Sequence, residues 1–145
     1  MKVHNIRVRA FFRDENLDEG RMLFKRLLPE ETTVCEEKLE PETEGEVFTT
    51  PLTALNAVIS TQSLINEFIK KILSSLSDSD KEELKNTLQS RMDDDCSLYI
   101  RLGKKELQEG KFVLHTRDSV HVRIKLACFP KKKENALKIA SELLE

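Results

Sequence analysis

Two segments between residues 96 and 128 alternate strictly between apolar and polar side chains. The apolar positions are Leu98, Ile100 and Leu102 in the first segment, and Val120, Val122, Ile124 and Leu126 in the second. A period of two residues is typical of a β-strand with one buried face and one exposed face. The pattern therefore predicts two half-buried strands.

The exposed positions of these strands are basic, and a tyrosine lies among them. A third alternating segment, residues 3–12, has the same character. If the three strands share a sheet, its open face carries Arg7, Arg9, Tyr99, Arg101, Arg123 and Lys125. Arginine matches phosphate oxygens and tyrosine offers a surface on which an unpaired base stacks, so this face favours RNA binding. The alternatives are a solvated face whose arginines pair with glutamates, and a sheet-to-sheet homodimer contact.

The remaining segments indicate helices and further strands. Helices are expected from Glu15 to Pro29, over 62–76, after a cap at Asp78 or Ser79, as a short turn over 103–110, and after Pro130. Strands are expected over 32–39 and as a hairpin of 111–116 with 119–128, closed by a polar turn at Arg117–Asp118. Residues 40–46 are expected to form an acidic turn.

Pro51 makes the segment before it an edge or broken strand, and the segment from Leu52 is open to strand or helix. We expect one α+β domain over residues 1–145, with a mostly antiparallel sheet and helices on one face.

Composition limits the function classes. The formal net charge is only −2, so anion binding requires basic residues sorted onto one face, because the bulk charge does not supply it. The sequence shows no signal peptide or membrane span, which predicts a cytoplasmic protein with no membrane role. Cys35, Cys96 and Cys128 are widely spaced and odd in number, so we expect neither a disulfide nor a metal role for them.

Catalytic motifs are missing. The sequence contains no GxGxxG, phosphate-binding loop, GxSxG or HExxH, and its histidines fit no metal or triad spacing. Asp93–Asp95 admits a magnesium-dependent nuclease, but a solvated turn is favoured. We expect no catalytic residues, no metal and no cofactor. Lys104 and Lys105 extend the basic track, whereas Lys131–Lys133 is either a phosphate contact or, as favoured here, a solvated run.

The segments LYIRLGKKELQEGKF (98–112), DSVHVRIKL (118–126) and HNIRVRAFFRDENLDE (4–19) resemble an archaeal family described as RNA-binding proteins and candidate exosome subunits. The resemblance implies a fold like that of the 5S-rRNA-binding protein of the large ribosomal subunit. It also implies no enzyme activity, and RNA and exosome or ribosome-associated proteins as partners. RNA contacts are then expected at Arg7, Arg9, Tyr99, Arg101, Lys104, Lys105, Arg123 and Lys125.

Overall fold

An antiparallel sheet forms the centre of the structure. The computed structural model describes residues 2–39, 51–115 and 117–145. Within these residues the strands are β1 (Val3–Arg13), β2 (Val34–Leu39), β3 (Leu52–Ile59), β4 (Ser97–Gly103) and β5 (Ser119–Leu126). Their spatial order is β2-β3-β1-β5-β4, and every neighbouring pair is antiparallel.

Helices cover one face of this sheet. They are α1 (Leu17–Leu27), α2 (Gln62–Ser75), α3 (Asp78–Asn86), α4 (Leu88–Arg91), α5 (Lys104–Gln108) and α6 (Lys133–Leu143). Their apolar residues, among them Phe24, Phe68 and Leu84, join the inward-facing strand residues in one buried cluster. The predicted α+β class, with an antiparallel sheet and packed helices, is confirmed.

The alternation of β1 is interrupted near its start. Ile6, Val8, Ala10 and Phe12 are buried, as predicted, but so is Val3, because the register shifts between Val3 and Asn5. This irregularity turns His4 outward. His4 therefore does not continue the inward-facing set of β1, although alternation back from Ile6 predicts that it would.

Gly20 allows α1 to lie directly on the sheet. A Cβ atom at this position would lie 2.7 Å from the ring of Phe12 on β1. Only a residue without a side chain fits at that separation. Close packing of the helix on the strand therefore offsets the low helix propensity of glycine.

The middle of the chain settles one open point and divides one predicted helix in two. The segment from Leu52 is a strand, and β3 lies between β2 and β1 in the sheet. The predicted helix after residue 76 is two helices, because Thr87 leaves the helical conformation between α3 and α4. The predicted cap at Asp78 or Ser79 is wrong, because the cap is Ser77, whose hydroxyl accepts a hydrogen bond from the Asp80 N–H. The predicted acidic turn over 40–46 and the segment just before Pro51 lie outside the described residues.

The predicted hairpin of 111–116 with 119–128 is wrong. Residues 111–115 form no regular strand and lie along the outer edge of β4, where the Gly103 N–H donates to Val113 O and the His115 N–H donates to Arg101 O, both at 3.0 Å. The Leu114 N–H donates to the Asp80 carboxylate at 3.1 Å. This irregular segment forms hydrogen bonds with backbone groups at the edge of β4. Left unpaired, these groups could pair with a strand of another molecule.

A disulfide joins Cys96 and Cys128, with 7.0 Å between their Cα atoms. Cys96 immediately precedes β4 and Cys128 follows β5 by two residues. Because β4 and β5 are antiparallel neighbours, the start of one strand lies beside the end of the other. The expectation of unpaired cysteines is wrong for this pair, and Cys35 is free and exposed.

Candidate nucleic-acid interface

The register of the sheet aligns the basic side chains in rows on the face opposite the helices. In one row Arg7 lies opposite Arg123, which lies opposite Tyr99. In the next row Arg9 and Arg101 lie on either side of His121. Lys125 belongs to a third row, between Asn5 and Ser97. Directly opposed residues on one face have Cβ atoms about 4.5–5.5 Å apart, so these rows form a continuous surface.

A shallow groove of about 480 Å³ crosses this open face. Its polar lining comes from Arg7, Arg9, Asn56, Tyr99, His121 and Arg123, and its apolar lining from Val8, Phe11, Ala57 and Val58. Val58 is 51% exposed and Tyr99 is 38% exposed. The groove therefore combines cations with flat and apolar surfaces, the combination with which proteins bind unpaired nucleotides.

His121 lines the groove, and its surroundings favour its neutral form. Partial burial lowers the pKa of His121 below its usual value, and the positive charges of Arg101, Lys104 and Arg9 lower it further. A neutral imidazole carries both a donor and an acceptor nitrogen. His121 therefore adds hydrogen-bonding capacity, and not charge, at neutral pH.

Asp95 occupies the end of the face that is nearest to the start of β4. Its carboxylate pairs with Lys125 and Lys131 and lies 3.3 Å from the Arg123 guanidinium. Hydrogen bonds from Lys125 and Lys131 lower the pKa of Asp95 to about 2, so the group is charged at neutral pH. The positive charge of this part of the face is thus largely compensated within the protein.

Asp93 holds Tyr99 in place. The Tyr99 hydroxyl donates to the Asp93 carboxylate at 2.9 Å, and the same carboxylate accepts hydrogen bonds from the N–H groups of Asp95 and Ser97. Burial alone would raise the pKa of Asp93, but these hydrogen bonds lower it overall. Burial and the bond to Asp93 raise the pKa of Tyr99. The Arg123 guanidinium carbon lies 5.6 Å from the centroid of the Tyr99 ring, so the ring is fixed before any ligand binds.

The other arginines differ in how strongly they are paired. Arg9 lies 3.6 Å from the Glu37 carboxylate of β2 and 4.9 Å from the centroid of the Phe11 ring. Arg7 and Arg101 are exposed and have no acidic partner within 4.0 Å among the described residues. These two guanidinium groups are therefore the most available to an anionic ligand.

Lys104 and Lys105 have different surroundings. Lys104 donates to Phe11 O, pairs with Asp118 at 3.0 Å and lies 4.4 Å from the centroid of the Phe12 ring. Its side chain is only 14% exposed. Lys104 thus ties α5 to the end of β1, whereas Lys105 is exposed. Of the two, Lys105 is positioned to meet a ligand that extends beyond the sheet.

Residues 5–126 match the model of a protein family described as RNA binding. This chain belongs to that RNA-binding family. It is also 32% identical over 148 residues to the RNA-binding protein PAB1135 of Pyrococcus abyssi, an alignment that covers 100% of this chain and 96% of the relative.

Solved structures show the same fold. Protein AF2318 from Archaeglobus fulgidus, assigned to DUF54, superposes with a TM-score of 0.84 at 26% identity, covering 98% of this chain and 99% of the other. Mth689, a DUF54 protein from Methanothermobacter thermautotrophicus, superposes with a TM-score of 0.79 at 23% identity over 100% of both chains. The arrangement of helices and strands described above is therefore shared with DUF54 proteins.

For this RNA-binding family member, the sequence-derived site omits six residues that line the groove. Two of them, Val8 and Ala57, are buried, and the other four are Phe11, Asn56, Val58 and His121. The alternation already places Phe11 and His121 at outward positions. They were omitted because the predicted site was limited to basic residues and Tyr99. Asn56 and Val58 belong to the segment whose secondary structure was open, and only the pairing of β3 with β1 aligns them with Arg9 and Arg7.

The described residues offer neither a metal-binding group nor a membrane-spanning helix. Across residues 2–39, 51–115 and 117–145, no group of three or more His, Cys, Asp and Glu side chains is arranged to hold a metal ion. Asp93 and Asp95, the candidates for a magnesium site, instead face Tyr99, Arg123 and Lys125. Within the same ranges no helix is long and apolar enough to cross a membrane.

Proposed function

We propose that this protein is a non-enzymatic RNA-binding protein that contacts unpaired RNA through the open face of its sheet. The observation that carries the proposal is the pair of adjacent rows, Arg7 with Arg123 and Arg9 with His121, on one solvent-facing surface. Membership in an RNA-binding family supports the same ligand class.

The contribution of each cation to RNA binding is expected to depend on whether a carboxylate of the protein already pairs with it. Arg7 and Arg101 are free of carboxylates in the described residues, so they contact phosphates first. Arg9 contacts a phosphate only after it leaves Glu37. Because the Arg9–Glu37 pair is exposed, breaking it costs little free energy. Tyr99 and Phe11 offer ring surface to bases. Lys105 adds charge at one end of the track, whereas Arg123 and Lys125 contribute less at the other end, because Asp95 largely compensates their charge.

The test is RNA binding by Arg7→Ala and Arg101→Ala, measured by fluorescence anisotropy against a short single strand and a hairpin at several salt concentrations. Each variant is expected to weaken binding and to reduce the slope of log K against log salt by about 0.7 for the single strand, because one phosphate contact is lost. Arg26→Ala is the matched control, since Arg26 is an exposed arginine on α1, on the helical side of the sheet.

Unchanged affinity and salt slope in both variants, with wild-type protein that does bind RNA, would remove the open face from the proposal. Absence of wild-type binding even at low salt would remove RNA binding itself.

A finer proposal concerns the cellular role. We propose that the protein is cytoplasmic and acts as an accessory of an archaeal RNA processing or degradation complex, or of ribosome-associated proteins. The resemblance of residues 4–19, 98–112 and 118–126 to that archaeal family supports this role. The likeness to the 5S-rRNA-binding ribosomal protein stays a prediction. Affinity purification of the tagged protein from its own cells, with and without ribonuclease, distinguishes RNA-bridged partners from direct ones.

One observation favours a second function, a homodimer or another protein contact through the open face. Val58 is 51% exposed and lines the same groove as Phe11 and Tyr99. Light scattering decides between the two. A stable dimer that Val58→Glu dissociates, together with RNA binding that appears only in the monomeric variant, would assign this face to self-association.

The organisation of the chain is part of the same proposal. We propose that residues 1–145 form one domain, supported by a buried cluster that runs from Val3 on β1 to Ala140 on α6. Limited proteolysis that releases a stable fragment lacking either end of this cluster would contradict it.

A further inference from the structure

The loop between β5 and α6 exposes a phenylalanine. Phe129 is 97% exposed, more than any other large hydrophobic residue in the described part of the chain. An aromatic ring in water forgoes the free energy of burial, and nothing in the buried cluster reaches it. The ring therefore contributes nothing to the packing of the protein, and its position calls for another explanation.

This loop is anchored on both sides of the ring. The Ala127 N–H donates to Lys2 O at 2.9 Å, and the neighbouring Cys128 is joined to Cys96. On the other side, Pro130 O accepts hydrogen bonds from the Lys132 N–H at 2.9 Å and from Asn135 Nδ2 at 2.8 Å. Phe129 is therefore presented from a fixed backbone and does not belong to a loose end.

Three lysines, at residues 131–133, follow the ring after Pro130. Lys131 and Lys132 are exposed. Cations at the start of α6 oppose the helix dipole, so the stability of this helix does not account for them. Lys131 pairs with Asp95, the same carboxylate that pairs with Lys125 and lies beside Arg123 on the open face. One aspartate thus connects the loop to the proposed RNA surface.

We propose that Phe129 and the lysines at 131–133 form a second RNA subsite, continuous with the open face at its Asp95 end. An unpaired base stacks on the Phe129 ring, and the phosphates beside that base contact Lys131 and Lys132. An aromatic ring flanked by cations is the arrangement with which proteins hold single-stranded nucleotides without sequence preference. This inference rests on the proposed function, because it extends the same RNA beyond the groove.

The subsite predicts a dependence on RNA length. A short single strand is held by the groove alone, whereas a longer strand that starts there reaches Phe129. Phe129→Ala is expected to lower the affinity for the long strand by about 5-fold or more, the effect of losing one base–aromatic stack. The affinity for the short strand should be unchanged. Because Phe129 is almost fully exposed, the variant keeps its fold.

Two further variants separate stacking from simple apolar contact. Phe129→Tyr keeps an aromatic face and is expected to retain the affinity for the long strand, whereas Phe129→Leu keeps an apolar side chain and is expected to lose it. Met22→Ala, at an exposed residue of α1, controls for loss of an exposed apolar side chain. A fluorescent purine analogue in the long strand should be quenched by wild-type protein and by Phe129→Tyr only.

The outcomes distinguish the two proposals. If Arg101→Ala weakens binding while Phe129→Ala leaves the long strand unaffected, the subsite is overturned and the open-face proposal stands. If Phe129→Leu binds the long strand as tightly as wild type, the ring is not a stacking surface and the proposed subsite is overturned. If wild-type protein binds neither strand, both proposals fail.

Discussion

The hydroxyl of Tyr99 donates a hydrogen bond of 2.9 Å to the carboxylate of Asp93. Tyr99 belongs to the alternating segment of β4, whereas Asp93 belongs to the turn Asp93–Asp95 that precedes this strand. The turn therefore folds over the end of the basic face and is not a separate solvated feature. Its carboxylates hold Tyr99 and compensate part of the positive charge that the strand pattern predicts.

Asp95→Asn is expected to increase RNA affinity several-fold. The substitution removes the carboxylate that pairs with Lys125 and Lys131 and lies near Arg123, so these three cations become available to a phosphate. Fluorescence anisotropy at low and physiological salt measures the change, and the salt slope should become steeper.

Asp94→Asn provides the matched control, because Asp94 is exposed and lies next to Asp95. It removes the same charge without freeing those cations. Equal gains in the two variants would show that net charge alone, and not the position of Asp95, limits RNA binding.

The stability of the protein should depend on His121 in mildly acidic solution. Burial and the neighbouring cations lower the pKa of His121 in the folded state, so the unfolded chain takes up this proton first as the pH falls. The free energy of unfolding therefore decreases as the pH falls through the unfolded value of about 6.5, and this loss is complete below the folded pKa.

His121→Gln removes this contribution. Urea unfolding at about pH 7.5 and about pH 5.5 should show a smaller loss of stability on acidification for the variant than for wild type. The other histidines, His4 and His115, are common to both proteins. Parallel losses would mean that the pKa of His121 is not lowered by folding.

Gly20→Ala should destabilise the protein even though alanine favours helices. The new Cβ would lie 2.7 Å from the Phe12 ring, and overpacking of this kind costs about 1–3 kcal/mol, against a gain of about 1 kcal/mol in helix propensity. Urea unfolding measures the net effect. In a Phe12→Leu background the penalty should shrink, since the ring that causes it is gone; an equal penalty in both backgrounds would place the strain elsewhere.

Only one of the three cysteines should react with a thiol reagent in denatured, unreduced protein. Cys96 and Cys128 are joined and Cys35 is free, so mass spectrometry should detect a single modification. Closing a loop of 32 residues restricts the unfolded chain, and reduction is expected to lower the free energy of unfolding by about 3–4 kcal/mol in the chain-entropy description. Three modified cysteines would show that the pair is not formed.

Strand faces and helix positions were predictable because they depend on neighbours in the sequence. The positions of Arg7, Arg101 and Arg123 follow from alternation with buried residues, and Gly20 follows from its place inside an amphipathic helix. The predicted hairpin is wrong because strand pairing does not depend on neighbours in the sequence alone. Residues 111–115 have a strand-like composition, but their partner is β4 and not β5, and no local pattern specifies a partner.

The sequence by itself determined which side chains face solvent on β4, on β5 and on β1 beyond its first residues. One side of a sheet must be buried against the helices, and the alternation of apolar and polar residues shows which side. The tertiary structure decided which charges remain available. Asp93 and Asp95 reach Arg123 and Lys125 across 28 or more residues of sequence, and Cys96 reaches Cys128 across 32. Such pairs form because antiparallel strands bring distant residues together, and the Coulomb interaction depends on that distance in space.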